Sequence, residues 1–249
     1  MTVAARLAAA GCVAPEEEAR ELLHDAPGAA ELEARLRRRE VGEPLAWITG
    51  RTTFGGVVVR VDPGVYVPRV QSEDLAQRAA AVLLGRGIAI DLCTGSGAIA
   101  AWLQHAVPDA FVVGIDVDPT AARCAMSNGV RAVVGDLAAS LHVSGAVDVV
   151  TAVAPYVPSG EQRLLPTDVQ RHEPVRALDG GDDGLAVVRR VVGNAAMVLR
   201  AGGYLFLELG GAQDELLAPD LERHGFAPAE PWHDDDGDLR GLTARRKPG

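Results

Sequence analysis

The densest chemical signal in the chain is the run Asp91-Leu92-Cys93-Thr94-Gly95-Ser96-Gly97-Ala98-Ile99-Ala100. An apolar stretch ends in an acid, a Gly-x-Gly turn follows, and a helical pattern begins. Glycine at such a turn lets backbone approach a bound molecule and take conformations closed to other residues. The first N–H groups of the next helix then face that molecule. Two ligand chemistries share this shape. In the first, Gly95-Ser96-Gly97 with Ala100 satisfies the dinucleotide pattern, and Asp116 lies at the right distance to bind a ribose.

The second ligand is S-adenosylmethionine, which carries a positive amino-acid end and no phosphate. Asp91 supplies a negative charge for that end, directly or through water, with Cys93, Thr94, Gly95, Ser96 and Gly97 forming the turn beside it. Asp116 takes ribose hydroxyls in either case. Asp136, after a third apolar run, is placed to accept from an adenine amino group, with Leu137 against the ring. Three acids after three consecutive strands favour the sulfonium cofactor. A fourth apolar run ends in Thr151-Ala152-Val153-Ala154-Pro155-Tyr156-Val157-Pro158. Ligands of open α/β sheets sit beyond the carboxyl ends of the strands. An aromatic held there by prolines walls a flat acceptor or anchors a loop.

These residues need elements to position them. From about residue 70 the texture alternates strand and helix, the pattern of a parallel α/β sheet. The expected strands are Gly87–Leu92, Phe111–Asp116, Val130–Val134, Val147–Ala152 and Gly203–Glu208. Helices are expected over Ser72–Leu84, Gly97–Ala106, Pro119–Ser127 and Leu185–Leu199, and a hairpin closes the tail around Asp234 to Gly237. Before residue 70, three short helical patterns (Val3–Ala10, Pro15–Asp25 and Ala29–Val41) precede a hairpin around Gly55-Gly56. Asp62-Pro63-Gly64 is a turn, and Val65-Tyr66-Val67 reads as a short strand stopped by Pro68.

Composition narrows the classes. The 249 residues are 48% hydrophobic and 23% charged, an ordinary globular balance, which excludes disorder and a disulfide scaffold. The net charge of −10 argues against DNA and anionic membrane as partners, since both need clustered positive charge. The basic run Arg35 to Arg39 reads as a solvated helix end. Cys12, Cys93 and Cys124 lack metal-ligand spacing, and the six histidines are scattered, so no metal is expected. With no signal segment and no apolar run of bilayer length, the expectation is a soluble, cytoplasmic protein.

Further motifs then fall into order. Gly42-Glu43-Pro44-Leu45-Ala46-Trp47-Ile48-Thr49-Gly50 precedes the hairpin, and Pro63-Gly64-Val65-Tyr66-Val67-Pro68-Arg69 follows it. Asp91–Ala100 and Ala154-Pro155-Tyr156-Val157-Pro158 come next. His172-Glu173-Pro174 and Ala177-Leu178-Asp179-Gly180-Gly181-Asp182-Asp183-Gly184-Leu185 complete the set. Together they resemble the HemK/PrmC-type protein-glutamine methyltransferases, which methylate the Gln amide in the Gly-Gly-Gln loop of peptide chain release factors. The resemblance covers most of the chain. It implies an N-terminal helical substrate-recognition domain over 1–50, a β-hairpin linker over 51–68 and a class I methyltransferase domain over 69–249, with a Rossmann-like seven-stranded sheet. It also implies a catalytic stretch at Val153, Ala154, Pro155 and Tyr156, with Val153 beside the cofactor, and substrate contacts at Arg69, Tyr156 and Glu173.

Two departures accompany the resemblance. The family signature after the fourth strand is Asn-Pro-Pro-Tyr, and this chain has Val153-Ala154-Pro155-Tyr156. The family's Asn orients the acceptor amide, whereas Val153 has no donor or acceptor. Losing such an orienting group costs a few kcal/mol in the transition state. Arg69-Val70-Gln71-Ser72-Glu73 stands where the family has Arg-Pro-Glu-Thr-Glu. Three readings follow: methylation of a protein Gln amide oriented by backbone alone, methylation of a small amino-acid-like metabolite, or cofactor binding without catalysis. DNA adenine methylation lacks its basic track, and hydride transfer with NAD leaves Asp136 and Ala154-Pro155-Tyr156 unexplained.

Overall fold

A computed structural model describes residues 1–24, 26, 28–141 and 143–248 of the chain. Asp25, expected at a helix end, and His142 lie outside the described residues. Four helices open the fold: α1 (Val3–Ala9), α2 (Pro15–Leu23), α3 (Ala29–Glu40) and α4 (Leu45–Thr49). Pro15 at the first position of α2, with Glu16, Glu17 and Glu18 in its first turn, suits an N-terminus that lacks partners for its N–H groups. The four helices bury Leu7, Ala19, Leu22, Leu36 and Ile48 in a core of their own.

The hairpin β1 (Arg51–Phe54) and β2 (Val57–Arg60) follows, and Gly55 and Gly56 turn it with positive φ. Val65–Val67 forms no strand, contrary to expectation. Pro63 and Pro68 bracket it, and prolines donate no ladder hydrogen bonds. The segment instead packs on α4, where Trp47 Nε1 donates to the Val65 carbonyl at 2.9 Å.

The remaining elements are α5 (Ser72–Val82), β3 (Ile88–Leu92), α6 (Ala98–Ala106), β4 (Phe111–Asp116), α7 (Pro119–Ser127), β5 (Arg131–Val134) and β6 (Val147–Ala152). After them come α8 (Thr167–His172), α9 (Ala186–Val198), β7 (Leu199–Glu208), α10 (Gln213–Arg223), β8 (Glu230–His233) and β9 (Leu239–Arg245). Seven strands form one sheet in the order β5-β4-β3-β6-β7-β9-β8. The pairs from β5 to β7 are parallel, and β9 runs antiparallel to both of its neighbours. One face is covered by α5, α6 and α7 through Leu75, Ala79, Ile99, Leu103 and Ala125. The other face is covered by α9 and α10 through Val188, Val191, Val192, Leu217 and Leu221.

Four further elements differ from expectation, one being α4, a five-residue helix where none was expected. The fifth parallel strand begins at Leu199, where a helix was expected to end, because Leu199 pairs with Val147 ahead of a register shift. Neither α8 nor α10 was anticipated. α8 spans only six residues, and α10 carries Pro219 inside it, which masks the helical pattern.

Candidate active site

The strand ends of β3, β4, β5 and β6 enclose a cavity of about 310 Å³. Nine of the ten residues expected around a cofactor line it: Asp91, Cys93, Thr94, Gly95, Ser96, Asp116, Asp136, Leu137 and Val153. The exception is Gly97. A Cβ there would sit 2.8 Å from Ala125 Cβ and 3.0 Å from Val130 Cγ2. Its φ of +79° also starts α6 in a left-handed conformation. Gly97 therefore serves helix packing, whereas a Cβ on Gly95 would meet nothing within 4 Å. One Gly-x-Gly turn holds two glycines for two different reasons.

The acids of this cavity are held in different ways. Asp91 is 2% exposed. Its oxygens accept from Thr94 Oγ1 at 2.5 Å and Thr151 Oγ1 at 2.8 Å. Burial pushes its carboxyl up to about 6, against the pull of those hydroxyls. Asp116 accepts from the backbone N–H groups of Gly95 and Asp118, each at 2.9 Å, and burial raises it too. Asp136 lies on the rim, where Arg190 reaches its carboxylate at 2.6 Å. Among the described residues only Cys93 (φ +57°) and Leu137 (φ +53°) are non-glycines in the left-handed region, and both line this cavity. Such strain persists where surrounding structure over-determines it, commonly at functional sites.

A second space, an open groove of about 1020 Å³, lies between the N-terminal helices and the loops after β6. Gly11, Cys12 and Arg39 form one side, and Ala154, Tyr156, Val157 and Leu178 form the other. Tyr66, Val153 and Ala177 line both spaces, so they form the wall between them. Pro155 faces the cavity and Ala154 the groove.

The run 177–185 explains how the Tyr156 loop is held. Val157 N donates to the Leu178 carbonyl at 3.0 Å, and Gly180 N donates to the Val157 carbonyl at 2.9 Å. Gln213 Nε2 donates to the Tyr156 carbonyl at 2.8 Å. Gly184, at φ +76°, packs so tightly that a Cβ would lie 2.2 Å from the Tyr156 carbonyl oxygen. The Tyr156 hydroxyl donates to Glu208 Oε1 at 3.0 Å, and burial beside that carboxyl pushes the phenol far above its usual range.

The expected substrate contacts Arg69 and Glu173 pair with each other. Arg69 lines the groove and lies 4.8 Å over the Tyr66 ring. The Glu173 side chain is 1% exposed and faces a smaller neighbouring cavity, so it stands behind the groove and props Arg69. Its other oxygen has no hydrogen-bond partner among the described residues. Sequence reasoning missed Tyr66, Thr151, Glu208 and Gln213 as parts of this assembly. A lone hydroxyl in the apolar run Val147–Ala152 was the available signal for Thr151. The others are joined only by the fold.

The cavity fits S-adenosylmethionine. Buried Asp91 and half-buried Asp116 line it with negative charge that suits a cationic ligand bearing hydroxyls, Gly95 leaves open space, and Ser96 Oγ is buried on the wall without a partner among the described residues. A mostly parallel seven-stranded sheet with this site at its carboxyl edge is that of a class I S-adenosylmethionine-dependent methyltransferase. Residues 89–172 match the methyltransferase domain family. In shape the chain is similar to the 16S rRNA N2 G1207 methyltransferase of T. thermophilus, solved in complex with AdoMet and guanosine. That likeness has a TM-score of 0.55 at 20% identity, over 80% of this chain and 44% of that one. In sequence it is 36% identical to the release factor glutamine methyltransferase of Mycolicibacterium smegmatis, over 82% of this chain and 75% of that one. It is also 38% identical to a 4-amino-L-phenylalanine/4-methylamino-L-phenylalanine methyltransferase of Streptomyces pristinaespiralis, over 72% of this chain and 65% of that one. The chain belongs to the release factor glutamine methyltransferase family.

Proposed function

We propose that the protein methylates the side-chain amide of a glutamine in the Gly-Gly-Gln loop of a peptide chain release factor. One observation carries this reading. A cavity of about 310 Å³ suited to S-adenosylmethionine and a larger groove of about 1020 Å³ suited to a polypeptide loop meet at Tyr66, Val153 and Ala177. The cofactor supplies an electrophilic methyl group on a sulfonium. Asp91 faces its cationic end, Asp116 its ribose hydroxyls, and Asp136 with Leu137 its adenine, with Gly95 and Ser96 against it. Backbone carbonyls of Val153 and Ala154 orient the acceptor nitrogen, Pro155 shapes the passage, and Tyr156 walls the side chain. Arg69 contacts the incoming loop, and residues 1–50 form the recognition domain, joined by the hairpin linker 51–68 to the catalytic domain 69–249. Positioning and exclusion of water carry most of the acceleration.

The test is the intact mass of the organism's own release factor, purified from a host lacking such an enzyme, after incubation with the protein and S-adenosylmethionine. A gain of one methyl, mapped to the Gly-Gly-Gln glutamine, is the expected result. No gain despite cofactor binding overturns this reading.

Val153 favours a second reading, in which the acceptor is the amine of a small amino-acid-like metabolite. An amine presents a lone pair and needs no partner for a carbonyl oxygen, so an apolar Val153 suits it. The similarity to an amino-phenylalanine methyltransferase supports this class. Methylation of a free aromatic amino acid, with the release factor unmodified, is the outcome that would establish it.

A further inference from the structure

Glu208 ends β7 as a carboxylate 3% exposed, and it touches both spaces of the site through its neighbours. Its Oε2 accepts from Ser72 Oγ at 2.5 Å, and Ser72 lines the cofactor cavity. Its Oε1 accepts from the Tyr156 hydroxyl at 3.0 Å, and Tyr156 lines the acceptor groove. Its hydrogen-bond partners, these two hydroxyls and the Gln71 amide, are all neutral. Burying a carboxylate without a bonded cation is unfavourable, and a neutral side chain of the same shape would pin Tyr156 at lower cost. The groups facing Glu208 are Tyr66 from the linker, Gln71 just before α5, Ser72 from α5, Tyr156 from the loop after β6, and Arg240 from β9. Arg240 acts only at a distance, since its guanidinium is held by Asp234. Burial accordingly raises the affinity of Glu208 for a proton.

We propose that Glu208 receives, through the Tyr156 hydroxyl, the proton that leaves the acceptor nitrogen. The inference rests on the reading above only in needing an N–H acceptor in the groove, whether amide or amine. When the nitrogen lone pair forms the new bond to carbon, the sulfur keeps the electron pair of the bond that breaks. The nitrogen then sheds one proton. Tyr156 Oη takes it as the phenol's own proton passes to Glu208 Oε1, and solvent later recovers that proton. A base whose proton affinity lies nearer neutrality than that of an ordinary carboxylate suits this task. Tyr156 touches the acceptor in this scheme, and Glu208 acts through it.

Two measurements test the relay. In cofactor-free protein labelled with δ-¹³C glutamate, the resonance lost in Glu208→Gln should titrate above the ordinary glutamate range. In Ser72→Ala it should titrate higher still, because the carboxylate loses a donor. Titration together with the exposed glutamates overturns the proposal without reference to any acceptor. On a methylated acceptor, Glu208→Gln should lower kcat on the order of 10²-fold and remove the acid limb of its pH profile. Acceptor KM should stay within about threefold, and adding Tyr156→Phe should cost little more, as for groups acting as one unit. An unchanged pH profile, or a loss confined to KM, leaves Glu208 a structural pin and overturns the relay. If the wild-type protein methylates no acceptor, the proposed function fails and the carboxyl titration alone judges Glu208.

Discussion

The cofactor cavity and the groove proposed for the acceptor lie on opposite sides of Tyr66 and Val153, yet they are built by different means. The cavity hangs on strand ends, where register with β4 and β6 fixes β3 and its terminal acid. Its key carboxylates are held by hydroxyls and backbone N–H groups within a few residues of the sheet. The groove is assembled from the N-terminal helices, the linker, the loop after β6 and the 165–178 segment. Its shape depends on long-range side-chain contacts, such as Gln213 to Tyr156 and Arg69 to Glu173. The first region rests mainly on the strand ends of the sheet. The second is a set of loops pinned at a few points, which is how one scaffold accepts altered acceptor residues without losing its cofactor site.

That contrast can be broken experimentally. The largest effect should come from Gly184→Ala, whose Cβ would collide with the Tyr156 carbonyl. Acceptor kcat/KM should fall on the order of 10²-fold, because a shift of about 1 Å in the positioning loop is enough. Calorimetry should meanwhile find cofactor affinity little changed. Equal loss of cofactor binding would show that the two regions are not separable. Asp116→Asn should do the reverse, weakening cofactor binding by roughly tenfold or more through loss of a charge-assisted acceptor. Acceptor KM is the control there.

The pH dependence sharpens the same contrast. Asp91, pushed up to about 6, must ionise to attract a cationic ligand. Cofactor affinity should therefore fall by about tenfold per pH unit below that value, as expected when one proton competes. Asp91→Asn should flatten the dependence. For the cofactor-free protein the sign is opposite. A carboxyl whose folded value is raised contributes stability at low pH, and that contribution is lost as pH rises through about 6. Thermal melts of wild type and Asp91→Asn across that range measure it.

Val153→Asn should raise kcat/KM on a glutamine peptide by about tenfold, the worth of one good hydrogen bond. No gain would show that orientation at this position is not limiting. The smallest effect belongs to Arg190→Ala. Its pair with Asp136 is more than half exposed on both sides, so cofactor affinity should change by no more than about threefold.

The local chemistry is legible in the sequence. Alternation of apolar runs with helical patterns located the parallel strands and the acids that end them, because strand, turn and helix each leave a period or a breaker in a few consecutive residues. The segment Val65–Val67 misled, since β-rich residues between two prolines have no way to join a ladder. Arg69 and Glu173 read as separate substrate contacts, and Ser72 and Glu208 carry no sign of each other, because nothing in the sequence says that residues more than a hundred positions apart meet.

Asp91 with the Gly95 turn, Asp116 and Asp136 could be placed from sequence because they lie at or just past the ends of three parallel strands, and every parallel strand delivers its end to the same edge of the sheet. Only the tertiary structure decided that Gly97 serves packing while Gly95 faces the cavity. It alone joined Tyr156, Ser72 and Glu208 into one network, and made Tyr66 and Val153 the wall between two spaces. The physical reason is that the sheet edge gathers strand ends by local rules, whereas the groove depends on how distant loops pack. Packing of that kind is settled by shape and burial over the whole chain.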